Sequence, residues 1–179
     1  MHITPPCGKP VTYIQLYADV MTRPYNIKYL SQETVAKAYP VIRAAYPNVT
    51  LDDWLAYTAW INQPADARRS STGIVSLENM RGYVHGIFSY NTDYMLGTGP
   101  VLNVENIVAL DTGDRAAAVT QLISAMEDVA INHGCATIHT QIPEFWTSAS
   151  AGRTGLHAHL VDAGHDREMI RFSKHLQKN

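Results

Sequence analysis

Cysteine is scarce in this chain: two among 179 residues, Cys7 and Cys135. Two thiols make a disulfide framework unexpected, and both read as free thiols of a reducing compartment. Charge is sparse too. Asp, Glu, Lys and Arg make up 17% of the residues, below the ~25% of an average domain. With 46% apolar residues this excludes intrinsic disorder and implies a generous core. The net charge of −2 implies no basic face for nucleic acid and no acidic tail. No apolar run approaches the ~18 residues of a membrane span. Residues 1–10 have no apolar core behind a positive charge, so no secretory signal is expected. Repeats and low-complexity segments are absent. The expectation is a cytoplasmic protein with no nucleic-acid or membrane partner.

What is present fits one domain of ~150 residues with an N-terminal extension. The extension covers residues 1–25 and the main domain 26–179. Residues 1–10 hold Pro5, Pro6, Gly8 and Pro10, a loose lead-in. Residues 13–21 are apolar with mixed spacing that fits neither period alone. This apolar segment outside the core pattern leaves room for a homodimer.

Residues 26–30 predict a short strand, with Ser31 as a plausible N-cap. Val35, Ala38, Tyr39, Ile42, Ala45 and Tyr46 then form a helical stripe that Pro40 should kink or split. Thr50 should cap a second helix carrying Leu51, Trp54, Leu55, Thr58 and Ile61 on one face. After a polar loop the period changes. Residues 73–78 and 83–90 predict a hairpin turned at 79–82, and 91–100 reads as a polar connection. A third strand follows over 101–110. Val119, Leu122, Ile123, Met126 and Ala130 give the cleanest helical spacing in the chain, ended at His133-Gly134. A strand over 136–142, a loop over 143–153, a helix over 154–163 and a last strand over 168–176 complete the order. This order predicts an α/β (α+β) fold with a mixed sheet and helices on its faces. The strand–helix–strand over 101–142 should be a right-handed crossover joining parallel strands.

The junction from Leu110 to Val119 carries the most chemistry. A strand feeds into a helix start built of Ala116, Ala117 and Ala118, with Arg115 beside them. Free N–H groups at a helix start attract anions, and small side chains let a ligand approach the backbone. Phosphate or pyrophosphate binding is one reading. An ordinary strand–helix junction with helix-favouring alanines is the other.

Three segments resemble the GNAT superfamily of acyl-CoA N-acyltransferases. Ala38-Tyr39-Pro40-Val41-Ile42-Arg43, with Tyr46-Pro47 and the helix from Thr50, is similar to the first helix pair of many small members. Glu105-Asn106-Ile107-Val108-Ala109 is similar to the central strand that pairs with the thioester arm of acetyl-CoA. Ala163-Gly164-His165 resembles the turn closing the family's last helix. The similarity spans 26–176. It implies a GNAT-like mixed central sheet with helices on both faces. It also implies acyl-CoA binding through Ile107, Val108, Ala109, Leu110 and residues Arg115, Ala116, Ala117, Ala118 and Val119. The activity implied is direct transfer of an acyl group from acetyl-CoA to an amine.

The chain departs from the family's Arg/Gln-x-x-Gly-x-Gly/Ala pyrophosphate loop. Asp114 falls where Arg or Gln belongs, Ala117 at the first glycine and Val119 at the last, where it should crowd the approach. Leu160 falls near the position of the family's usual tyrosine acid, flanked by His157 and His159. Either imidazole, with a reference pKa of ~6.5, could donate or accept the proton. Glu105 is the candidate base, since members often use a strand carboxylate through water. Each also has a plain reading: surface histidines, and a strand carboxylate paired with a cation. These departures keep open a non-catalytic GNAT-like module that binds a metabolite or protein partner.

No metal ligand set is expected, because His133, His139, Glu144, His157, His159 and His165 show no recognised spacing. Cys135 reads as a buried thiol. Tyr13, Tyr17, Tyr25, Tyr29, Tyr83, Tyr90 and Tyr94 could line an acceptor groove or a dimer interface.

Overall fold

Period-two segments and helical stripes alternate along the chain, and the structure sorts them into a sheet and its cover. The computed structural model describes residues 25–62, 71–110, 115–142 and 155–166. Residues 1–24 of the expected N-terminal extension, the loop over 143–153 and the expected last strand over 168–176 lie outside them, while Tyr25, the last residue of that extension, opens the first strand.

Five strands are present among the described residues: β1 Tyr25–Tyr29, β2 Thr72–Asn79, β3 Val84–Met95, β4 Gly99–Ala109 and β5 Thr137–Thr140. They lie in sequence order, antiparallel from β1 to β4, with β5 parallel to β4. Four α-helices accompany them: α1 Tyr39–Ala45, α2 Leu51–Ile61, α3 Arg115–Asn132 and α4 Gly155–Asp162. This is the mixed α/β sheet that the order of elements predicts.

The first helical stripe is split, as Pro40 requires. Val35–Ala38 is a single 3-10 turn, and α1 begins behind it with the proline in its first turn, where a missing N–H costs nothing. Ser31 does not cap it by side chain. Instead its carbonyl accepts the N–H groups of Thr34 and Val35. Helix α2 is capped as expected. Thr50 Oγ1 accepts the Asp53 N–H at 3.1 Å, and Asp53 returns a bond to the Thr50 N–H at 2.9 Å, a capping box. Trp54, Thr58 and Ile61 are buried on its inner face, whereas Leu51 is exposed.

One boundary differs from expectation. Residues 91–95 are not a connection. Strand β3 continues to Met95, turns over residues 96–98, and returns as β4 from Gly99. The polar residues that read as loop are cross-strand partners: Asn103 Nδ2 donates to Asn91 Oδ1 at 2.9 Å across a paired position. This arm has exposed positions, so its strands do not need alternating apolar residues.

The two faces of the sheet are covered by different helices. On β3, Gly86 lies against α3: a Cβ there would meet Leu122 Cδ1 at 2.8 Å. Ser89, three residues on, points to the opposite face and meets Tyr57 of α2. Ala118, Val119, Leu122, Ile123, Met126 and Ala130 are all buried, the stripe the spacing predicts. Helix α3 ends in a Schellman motif. Gly134, at φ 68°, donates to Ile131 O, and Cys135 donates to Ala130 O. Helix α4 ends the same way at Gly164. Among the described residues no helix is long and apolar enough to cross a membrane.

Candidate active site

The geometry of the site begins where β4 and β5 part. The parallel pairing runs from Val101↔Thr137 to Val104↔Thr140, with one more bond from the Gln141 N–H to Val104 O at 2.9 Å. Strand β4 then runs on to Ala109 with no β5 partner among the described residues. At the same point β4 bulges. Ser89 pairs with Glu105 and Ile87 with Val108, so two steps along β3 match three along β4. Asn106 takes up the extra residue in a left-handed conformation, φ 51°. Among the described residues it is the one non-glycine with positive φ.

Side chains gather at this bulge. Tyr57 Oη donates to Ser89 Oγ at 2.8 Å, and Ser89 Oγ donates to the Glu105 carbonyl at 3.1 Å. Asn106 Nδ2 donates to Tyr57 Oη at 2.9 Å and to Ser89 Oγ at 3.1 Å. Burial holds the Tyr57 phenol above the usual tyrosine value, and the nearby Glu105 adds to the shift. Ser89 is buried, while Glu105 and Asn106 are half-buried. Glu105 is cross-strand partner to Ser89, so it belongs to the α2 face. Sequence reasoning missed Tyr57 and Ser89 and noticed Asn106 only within a motif. A usable signal was there, because asparagine is depleted in strands and enriched in the left-handed region.

The open stretch of β4 leads toward the start of α3. Ile107 and Val108 are buried in the core, so only their backbones can meet a ligand, while Ala109 and Leu110 are half-buried. Ala116 is exposed and Ala117 half-buried. The junction 111–114, with Asp114, and the Arg115 side chain lie outside the described residues. Val119 does not crowd the helix start as the sequence comparison suggests. It is fully buried on the apolar stripe, facing the sheet.

The expected acid–base group is not brought together. Glu105 belongs to the α2 face, whereas α4 packs on α3, which covers the other face. His157 is exposed. His159 is half-buried and lines a groove of about 300 Å³ between α3 and α4, with Thr120, Glu127 and Asp162. Leu160 beside it is buried. Burial lowers His165, against an opposing pull from Glu127. Cys135 is buried, which raises its thiol. Among the described residues no three metal-ligating side chains cluster. Of the tyrosines, Tyr25 and Tyr90 are buried, and Tyr29, Tyr83 and Tyr94 are exposed.

No family model matches the sequence, and no curated protein matches it. Solved structures do match in fold. One is the aminoglycoside antibiotic 6'-N-acetyltransferase AAC(6')-Ih of Acinetobacter baumannii, at TM-score 0.63 and 15% identity, covering 86% of this chain and 99% of that one. AAC(6')-Iy in complex with a bisubstrate analog, CoA-S-monomethyl-acetylneamine, matches at TM-score 0.63 and 16% identity, covering 86% and 99%. Glucosamine-6-phosphate N-acetyltransferase of Arabidopsis thaliana matches at TM-score 0.58 and 14% identity, covering 86% and 99%. The match extends over nearly the whole of these enzymes, and the chain has a GNAT-type fold.

Proposed function

We propose that the protein transfers an acyl group from acetyl-CoA, or a similar acyl-CoA, directly to an amine. The observation that carries this reading is the opening beside β4: among the described residues pairing with β5 stops at Val104, and the remaining edge of β4 leads to a helix start of small residues. An extended thioester arm can add to such an edge as a strand would. The start of α3, where the small side chains of Ala116 and Ala117 leave space and the helix dipole is positive, suits a pyrophosphate. Neighbours of the same fold are solved with CoA and with a CoA analog, which supports an acyl-CoA as the donor.

The acceptor enters as an ammonium, which must lose a proton before its nitrogen can attack the thioester carbonyl. Glu105 is the base in this reading, acting through water from its half-buried position. The C–S bond then breaks as the amide forms, and the thiolate leaves with a proton. His157 and His159, which the sequence offered for this role, lie on α4 across the sheet from Glu105, so in this reading the thiolate takes its proton from water. The acceptor is an amine; an aminoglycoside, glucosamine 6-phosphate and a lysine peptide are the natural first panel.

Titration calorimetry with acetyl-CoA and CoA tests the reading, followed by thiol release with that panel. Binding is expected, and no heat at millimolar ligand overturns it. The buried Leu160, which offers no proton at the position of the family's acid, favours one second reading. In that reading the chain binds a metabolite or protein partner and catalyses nothing. Binding of acetyl-CoA without turnover on any amine would support it.

A further inference from the structure

Tyr57, Ser89 and Asn106 come from three different elements and share their hydrogens completely. Tyr57 spends its one hydroxyl hydrogen on Ser89, and Ser89 spends its own on the Glu105 carbonyl. Asn106 spends one amide hydrogen on each of the two hydroxyls. The network therefore has a single direction and ends on the backbone of β4. It also holds a conformation that β-strand residues avoid. A non-glycine residue at φ 51° costs about 1 kcal/mol or more, asparagine least. The bulge lies where β4 loses its β5 partner, and neither Asn106 nor Ile107 stands in register with β3 or β5. Tyr57 is itself held from behind. Its ring stacks on Trp54 at 5.9 Å, and Trp54 Nε1 donates to Val35 O at 2.9 Å.

We propose that Tyr57 is a positioning residue: through Ser89 and Asn106 its hydroxyl sets the backbone of the β4 bulge beside the opening. The consequence for catalysis rests on the acyl-transfer reading. Helix α2 carries no group to the reacting atoms in this scheme; it fixes where the peptide groups of residues 105–107 lie when the acyl group arrives. Burial keeps the Tyr57 hydroxyl protonated, so it remains a donor throughout the ordinary pH range.

Tyr57→Phe keeps the stacked ring and removes the hydroxyl alone. Asn106→Gly keeps the left-handed backbone and removes both donors. Each is measured in the full-length protein by thermal melting, by hydrogen exchange and by kinetics with acetyl-CoA and the best amine of the panel. In Tyr57→Phe, amides of residues 105–108 should exchange about tenfold faster or more, with the paired amides of β1 and β2 unchanged. The kcat should fall about 10- to 100-fold, with KM for acetyl-CoA within about twofold. The double variant should be no worse than the poorer single one, as for residues acting as a unit. A residue that only glues α2 to the sheet would lower the melting temperature and leave kcat per folded molecule unchanged. That result, or unchanged exchange at 105–108, overturns the proposal. If the wild-type protein neither binds acetyl-CoA nor acetylates any amine, the acyl-transfer reading fails by itself. Exchange at 105–108 then still decides whether Tyr57 sets the bulge.

Discussion

Tyr90 shows how one buried side chain ties stability to pH. Its ring lies on the α3 face, tilted against Phe88 and against His133, with its hydroxyl 3.5 Å from His133 Nε2. Burial, with a smaller effect from Tyr29, pushes its phenol up to about 12. The anion is thus disfavoured in the folded state relative to an unfolded phenol near ~10. Its contribution is fully present below that unfolded value and is lost as pH rises through the folded one. Urea titrations from pH 9 to 12 should show stability falling more steeply in the wild type than in Tyr90→Phe. Parallel slopes would contradict this. At this scale the sequence was partly legible. A charge such as Glu78, 3% exposed and bonded to Lys28 at 2.8 Å, hides inside a strand that reads as ordinary. Tyr57 and Ser89 lie 32 residues apart, and no local pattern announces a pair that only the folded sheet and helix bring together.

At the scale of elements, legibility followed from how local the cause is. The α3 stripe, the Thr50 cap and the glycine stops are written within a few residues, and each forms as read. The β3–β4 arm was misread because its pairing partner supplies the cause: Asn91 and Thr92 become strand residues through Asn103 and Leu102. The Gly134 stop offers a clean test of local control. Its φ of 68° lies in the left-handed region, and a Cβ added there meets nothing within 4 Å. Gly134→Ala should therefore cost only backbone strain, about 1–2 kcal/mol in urea denaturation. Gly134→Asn should cost less, because asparagine tolerates this conformation. Equal losses for the two would point to a lost contact and contradict the backbone account.

Among the described residues, β4 runs on beyond Val104 without its parallel partner. The core is continuous from α1 and α2 through the strands to α3 and α4, so the opening beside β4 is a gap in the described strand pairing and not in the packing. A thioester arm in that opening would supply hydrogen bonds along β4, and a pyrophosphate would meet the start of α3. Both contacts exist only in the folded chain, so an acyl-CoA must stabilise it by mass action. At ligand near 100 times its dissociation constant the gain is about 2.7 kcal/mol. For a domain of this size that is a rise in melting temperature of about 5–10 °C. The rise should grow with the logarithm of acetyl-CoA concentration, and pantetheine alone should give less, since it lacks the pyrophosphate. Ala117→Trp, which fills the half-buried helix start, should melt near the wild type without ligand and lose the ligand-dependent rise. A rise that survives Ala117→Trp would place the ligand away from α3. A wild-type protein whose melting temperature ignores acetyl-CoA would mean that the opening serves some other occupant.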